Sequence, residues 1–321
     1  MLNFISILPE KAVLLIGALI AFGSTFYILY NHRDRLPKDQ GREFAVAGAK
    51  SAGKPRGAGI VFIIAFIVSA LLCAPMSPEY VIYLGLLFAA MMTGYLDDSA
   101  KAPWGELKKG LLDAAIALLT AGVYLYFNGS GVRFAIPGLQ VTLPPVVFAI
   151  LTIVLVWVSI NVTNCADGVD GLSASLTIVT LASFFAVFKL TRPDTGFEAQ
   201  IILFVAVLAA YLWFNATPSL LMMGDAGSRA MGFFIAVAAL KSGDPFIYIL
   251  LAIVLILDGG LGLIKVSLLR FLKIKILVNT RTPLHDHVRK NKDWSNTQTV
   301  FRFVIIQLVI SAVAVMLMMQ G

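Results

Sequence analysis

The chain of 321 residues is 59% hydrophobic and 13% charged, where a soluble globular chain averages roughly 25% charged, and so few charges exclude a water-solvated surface. Apolar segments run through the whole length, so residues 1–321 are expected to form a single polytopic membrane domain with no separately folding soluble part. On such a protein the formal net charge of +7 points to topology and contact with anionic lipid headgroups, and nucleic acid is not expected as a partner.

A helix needs about 20 apolar residues to cross the hydrocarbon core, fewer when flanking side chains snorkel. Ten spans are predicted in chain order, at 12–30, 57–74, 80–96, 110–127, 143–160, 172–188, 199–214, 230–240, 245–264 and 303–319. The fourth contains Asp113 and the ninth Asp258. The eighth is short, bounded by Arg229 and Lys241, and is expected to borrow residues from the polar segment before it. No basic segment precedes the first span, so it is not read as a cleaved signal peptide. After the fourth span, GSGVRFAIPGLQVTLPP has two alternating runs around Pro137-Gly138, which fit a small outer β-hairpin. After the ninth, GLGLIKVSLLRFLKIKIL keeps an apolar face opposite Lys265, Arg270, Lys273 and Lys275, the pattern of an amphipathic helix lying along the inner interface.

The fold class is therefore all-α and membrane-integral, and the basic residues orient it. Segments on one side hold 20 Lys and Arg, those on the other 5. By the positive-inside rule the richer side is cytoplasmic and both termini face out. Cys73 and Cys165 fall at opposite sides, which gives no disulfide framework.

Acids at the edge of a bilayer are costly and mark function. Four polar groups stand out. GYLDDSAK supplies Asp97, Asp98 and Lys101. NVTNCADGVDGL supplies Asn161, Asn164, Asp167 and Asp170 at intervals of three. MMGDAGSR supplies Met222 and Asp225, and TPLHDHVRK supplies His285, Asp286 and His287. Taken singly, each is a weak signal: an acid pair at a helix end is more often a solvated interfacial pair, the glycines fit plain turns, Asn164 fits a cap, and histidines in a basic loop are usually surface. All four fall on the same predicted side, which argues for one site. Carboxylates without a cysteine cluster suit a hard cation such as Mg²⁺, which typically takes one or two carboxylates plus substrate phosphates and water. Adjacent acids on a helix cannot point the same way, so Asp97 and Asp98 are expected to serve different partners.

At these residues the chain resembles the polyprenyl-phosphate N-acetylhexosamine-1-phosphate transferases. The likeness covers essentially the whole length: the Asp-Asp pair after span three, NxxNxxDGxDGL, GDxGS and the closing PLHxH. The last run, continuing as HDHVRKNKDWSNTQTVFRF, favours the branch of phospho-N-acetylmuramoyl-pentapeptide transferases, the MraY family. The resemblance implies transfer of phospho-MurNAc-pentapeptide from UDP-MurNAc-pentapeptide to undecaprenyl phosphate, giving lipid I and UMP for peptidoglycan biosynthesis. It implies Mg²⁺ as cofactor, membrane lipids as surroundings and a cytoplasmic-face site in the cytoplasmic membrane, and it leaves room for a homodimer. Carried over by residue, Asp225 is the metal ligand. Asp97 and Asp98 serve the acceptor phosphate with Lys101 near the phosphates. Asn161, Asn164, Asp167 and Asp170 line the nucleotide-sugar pocket, and His285 completes the site with His287 beside it.

Three departures are visible. Asp286 stands where the family shows a third histidine, GKPRGAG (residues 53–59) replaces GTPTMGG, and Met222 replaces a phenylalanine suited to stacking on uracil. Two other readings compete: a relative that transfers GlcNAc-1-phosphate, and an ion-coupled transporter, which would place its acids near the bilayer midplane on interrupted helices.

Overall fold

The structure is a computed structural model, and it describes residues 9–39, 41, 52–100, 102, 104–134, 136, 138–191 and 196–320. Its helices are α1 (Glu10–His32), α2 (Gly59–Cys73), α3 (Pro78–Asp98), α4 (Glu106–Asn128), α5 (Pro145–Cys165), α6 (Leu172–Thr191), α7 (Phe197–Asn215) and α8 (Gly224–Lys241). Then come α9 (Pro245–Leu251) and α10 (Ile253–Leu272), followed by α11 (Leu284–Asn291) and α12 (Asn296–Gln320). Strands β1 (Gly131–Phe134) and β2 (Leu139–Thr142) form the predicted hairpin, antiparallel with Val132 opposite Val141.

Seven of these helices are long and apolar enough to cross a membrane, and the bent pair α9 and α10 makes up to eight candidate spans. This is a multi-pass membrane protein. Large apolar side chains such as Leu15, Leu118, Val146 and Val309 stay exposed on the outward faces of these helices, a surface suited to lipid. α2, apolar but only 15 residues long, is shorter than these spans.

The short eighth span does borrow from the segment before it: α8 starts at Gly224 and takes in Asp225 and Arg229. Every residue of α8 is buried, because α2, α3, α5 and α6 pack around it. A helix sealed by protein on all sides needs no continuous apolar surface, which is why its sequence reads as a poor span. Close approach needs small residues. At Gly94 of α3 an added Cβ would collide with the backbone of Asp225 and Ala226, so glycine there lets α3 and α8 touch main chain to main chain at the site.

The ninth span departs from the expected continuous helix. α9 and α10 meet at Ala252 with a bend of 72°, and residues Ile256–Gly260 form a π-helical turn that carries Asp258 into the interior. Bulges of this kind arise where an interior group must be accommodated. Here Gly259 lies against the backbone of Val162 and Asp258 meets His285. The amphipathic segment is also shorter than expected. The helix ends at Leu272, and Lys273 and Lys275 lie beyond it, with Lys273 at φ 58.

Candidate active site

The site is assembled where the N-terminus of α8 meets the C-terminus of α3 and the segment 53–59. That segment is docked on the strand-like residues before α8 by backbone bonds: Met222 N–H donates to Pro55 O at 2.8 Å, Ala58 N–H to Met222 O at 3.1 Å and Gly59 N–H to Met223 O at 3.0 Å. Lys54 Nζ reaches Ser219 Oγ at 2.9 Å. Residues 53–59, a departure from the family's run, thus form one wall of the site.

Asp97 and Asp98 diverge as helix geometry requires. Asp98 Oδ2 accepts the backbone N–H of Asp225 at 2.7 Å, which caps the first turn of α8 and satisfies one of its open donors. Its Oδ1 lies 2.7 Å from Arg56 Nη2. The same Nη2 lies 3.3 Å from Asp225 Oδ1, while Nη1 bonds Asp39 Oδ1 at 3.1 Å. Asp97 turns toward α4, accepting from Trp104 N–H at 2.7 Å and pairing with Lys109 at 2.5 Å. Lys109 Nζ is 4.0 Å from Asp225 Oδ2. Burial alone would lower the pKa of the Arg56 guanidinium, but the carboxylates of Asp98, Asp225 and Asp39 outweigh it and hold it above its ordinary value.

The second polar run joins the third and fourth. Asn164 Nδ2 donates to Ser228 Oγ at 2.9 Å, one turn into α8, and Ser228 Oγ in turn donates to Gly224 O at 3.1 Å. Gly168 presses against the imidazole of His285, and a Cβ there would collide with Nε2. His285 is held at both ends by the buried Asp258: its backbone N–H donates to Oδ1 at 2.7 Å and Nδ1 lies 2.8 Å from Oδ2. A carboxylate on Nδ1 favours the tautomer with the ring proton there, and Nε2 faces Gly168 with Asp286 3.8 Å away. Asp167 and Asp170, half-buried in the turn before α6, lie within electrostatic reach of the Tyr211 side chain.

All four polar runs therefore connect through direct contacts: Asp98 with Asp225, Asn164 with Ser228, Gly168 with His285. Some predicted residues are engaged elsewhere. The Asn161 amide donates to Asp113 Oδ2 at 3.2 Å and to Trp157 O at 2.8 Å, and Asp113 also holds Arg229 of α8 in a buried ion pair. Met222 contributes its backbone to the docking of segment 53–59. His287 Nδ1 accepts from Arg281 N–H at 3.3 Å, and Asp286 lies 3.5 Å from Arg289 and 3.8 Å from His285 Nε2. Lys101 lies outside the described residues.

Sequence reasoning missed Arg56, Asp39 and Lys109, which meet the Asp pair only through the tertiary fold. It noted Asp258 only as an acid within a span. That oddity was the available signal, since an ionisable residue at membrane depth is a functional candidate with a partner to be found. Among the described residues no three His, Cys, Asp or Glu side chains gather into a ready-made ligand cage.

Residues 80–243, which carry the Asp pair, the Asn-Asp run and Asp225, match the model of glycosyl transferase family 4, and the chain belongs to that family. The chain is similar to phospho-N-acetylmuramoyl-pentapeptide-transferases from several bacteria. That of Treponema pallidum (strain Nichols) is 42% identical over 321 residues, covering 94% of this chain and 88% of that protein. That of Helicobacter hepaticus (strain ATCC 51449 / 3B1) is 29% identical, covering 92% and 91%. That of Helicobacter pylori (strain ATCC 700392 / 26695) is 30% identical, covering 82% and 80%.

Proposed function

We infer that this protein is a phospho-N-acetylmuramoyl-pentapeptide transferase, making lipid I and UMP from UDP-MurNAc-pentapeptide and undecaprenyl phosphate in peptidoglycan biosynthesis. Family membership over nearly the full length supports this reading, and nothing in the comparisons favours a GlcNAc-1-phosphate transferase or a transporter. The observation that carries the chemistry is the convergence of Asp98 and Asp225 on a single cationic nitrogen, 2.7 and 3.3 Å away, at the α3–α8 junction.

In this reaction a phosphate oxygen of the lipid forms a bond to the sugar-bearing phosphorus of the donor, and the pyrophosphate bond breaks to release UMP. The residues present fit Mg²⁺, because two carboxylate oxygens already face one cation position and this ion completes its shell with phosphate oxygens and water. Asp225 with Asp98 would hold it, and it would neutralise charge developing on the phosphates. Asp98 fixes the start of α8 and so the aim of Asp225. Asp97, locked by Trp104 and Lys109, keeps a lysine ammonium at the mouth of the site for phosphate oxygens. Asn164, Asp167 and Asp170 offer acceptors and a donor to the nucleotide-sugar, whose uracil N–H, ribose hydroxyls and amide are neutral donors that carboxylates can bind. His285, held by Asp258, presents Nε2 beside Gly168.

The wider assignment is one membrane domain of ten helical segments in the cytoplasmic membrane, termini out and site toward the cytoplasm, as the charge asymmetry indicates. Single cysteines placed in segments 33–42 and 285–293 are expected to label only from the cytoplasmic side, and labelling from outside whole cells would overturn this orientation. For the activity, purified protein is expected to release UMP from UDP-MurNAc-pentapeptide only when both Mg²⁺ and undecaprenyl phosphate are present. UMP release from UDP-GlcNAc instead would assign the chain to the other branch.

A further inference from the structure

Arg56 is the residue of the site that the sequence patterns least account for. It stands in a segment that departs from the family's GTPTMGG run, which has no basic residue, yet its guanidinium occupies the centre of the acidic cluster. Nη1 is anchored by Asp39, a buried acid of the preceding segment, at 3.1 Å. Nη2 bridges Asp98 and Asp225 at 2.7 and 3.3 Å. Of the donors left over, Nε–H is buried with no hydrogen-bond partner among the described residues. A buried, unpaired donor on a charged group is costly unless an acceptor arrives. A guanidinium fork matches the oxygens of a phosphate as well as those of a carboxylate.

Resting on the metal and substrate reading above, we propose that Arg56 is a built-in counter-cation that shares Asp98 and Asp225 with the divalent metal and, when the metal takes them, turns its donors to a substrate phosphate. Two cations cannot share the same carboxylate oxygens at contact distance without strong repulsion. Metal entry therefore requires Nη2 to withdraw. Asp39 keeps Nη1 in place during that withdrawal, so the guanidinium pivots within the site and stays close to the phosphates. The arginine thus lowers the repulsion between the two buried carboxylates in the resting enzyme. It also couples metal binding to phosphate binding. Arg56 is a positioning residue in the free enzyme and becomes a phosphate ligand only in the complex.

The test is Mn²⁺ binding, followed by electron paramagnetic resonance, to the full chain in detergent without substrate, alongside donor and acceptor Michaelis constants. Arg56→Gln is expected to bind Mn²⁺ about tenfold more tightly than the unaltered protein, the reverse of what damage to a site produces, while the donor KM rises about tenfold. Affinity equal to or weaker than that of the unaltered protein would overturn the proposal. If Arg56→Gln fails to fold, Arg56→Lys serves instead. Its single ammonium cannot bridge Asp39, Asp98 and Asp225 together, so tighter Mn²⁺ binding is again expected and unchanged binding overturns the proposal. Asp225→Asn separates the two levels of inference. If it keeps full Mn²⁺ affinity, the metal assignment falls and the proposal with it. If it loses Mn²⁺ while the Arg56 variants bind no tighter, the proposal alone falls.

Discussion

Helices α3 and α8 run antiparallel, and each end of the pair carries a cluster of buried charge. At the end near the hairpin, Lys241 of α8 bonds Glu79 of α3 at 2.8 Å and Asn128 of α4 at 2.9 Å, while Tyr83 and Asn128 complete Glu79 at 3.0 and 2.7 Å. One acid meets one base, and neutral donors and acceptors fill the remaining valences. At the other end, Asp39, Asp98 and Asp225 meet on Arg56, and Lys109 lies 2.5 Å from Asp97 and 4.0 Å from Asp225. The first cluster is closed and serves to clamp the helices. The second gathers several acids on one arginine, whose buried Nε–H has no acceptor among the described residues.

The largest difference between the ends should appear on Asp225→Asn, which removes a carboxylate with almost no change in volume. Turnover is expected to fall by about two orders of magnitude or more, with the thermal midpoint nearly unchanged. UMP release at ordinary Mg²⁺ close to that of the unaltered enzyme would dissolve the contrast. Glu79→Gln should do the opposite, stranding the buried Lys241 and lowering stability by about 3–5 kcal/mol while leaving the Michaelis constants of the folded fraction alone. Adding Lys241→Met should restore much of the loss, because the cost lies in the unpaired charge; denaturation of the single and double variants in detergent measures this directly.

Finer contrasts lie within the site. Asp258→Asn keeps the shape around His285 but weakens the hold on its Nδ1 proton, and kcat is expected to drop about 10–100-fold with little change in KM. A loss of stability with normal kcat would move Asp258 into the structural class with Glu79. The smallest effect is expected at Asp167→Ala: donor binding weakened by about 1–3 kcal/mol, with the acceptor KM unchanged. Should the melting temperature fall while the donor KM stays put, Asp167 would be a helix cap and no part of the pocket.

Length and hydropathy determined a good deal by themselves. Seven of the predicted spans coincide with helices long and apolar enough to cross a membrane, and the ninth with a broken pair, because the need to satisfy every backbone group within the segment is local to the chain. The hairpin at Pro137-Gly138 was legible for the same reason, its alternation and turn residues being neighbours in sequence. The four polar runs were legible too, since Asp97, Asn164, Asp225 and His285 are conspicuous against an apolar background. Tertiary structure alone decided their partners. Arg56 and Asp225 are 169 positions apart, and nothing in either segment marks the other. Arg229 and Lys241 looked like the charged edges of a weak span, and only packing turned them into buried partners of Asp113 and Glu79. The π-helical turn that carries Asp258 to His285 leaves no local signature, because a bulge forms where the surroundings demand it. Periodicity reports what a segment needs from its solvent; which charge meets which depends on distances that only the folded chain defines.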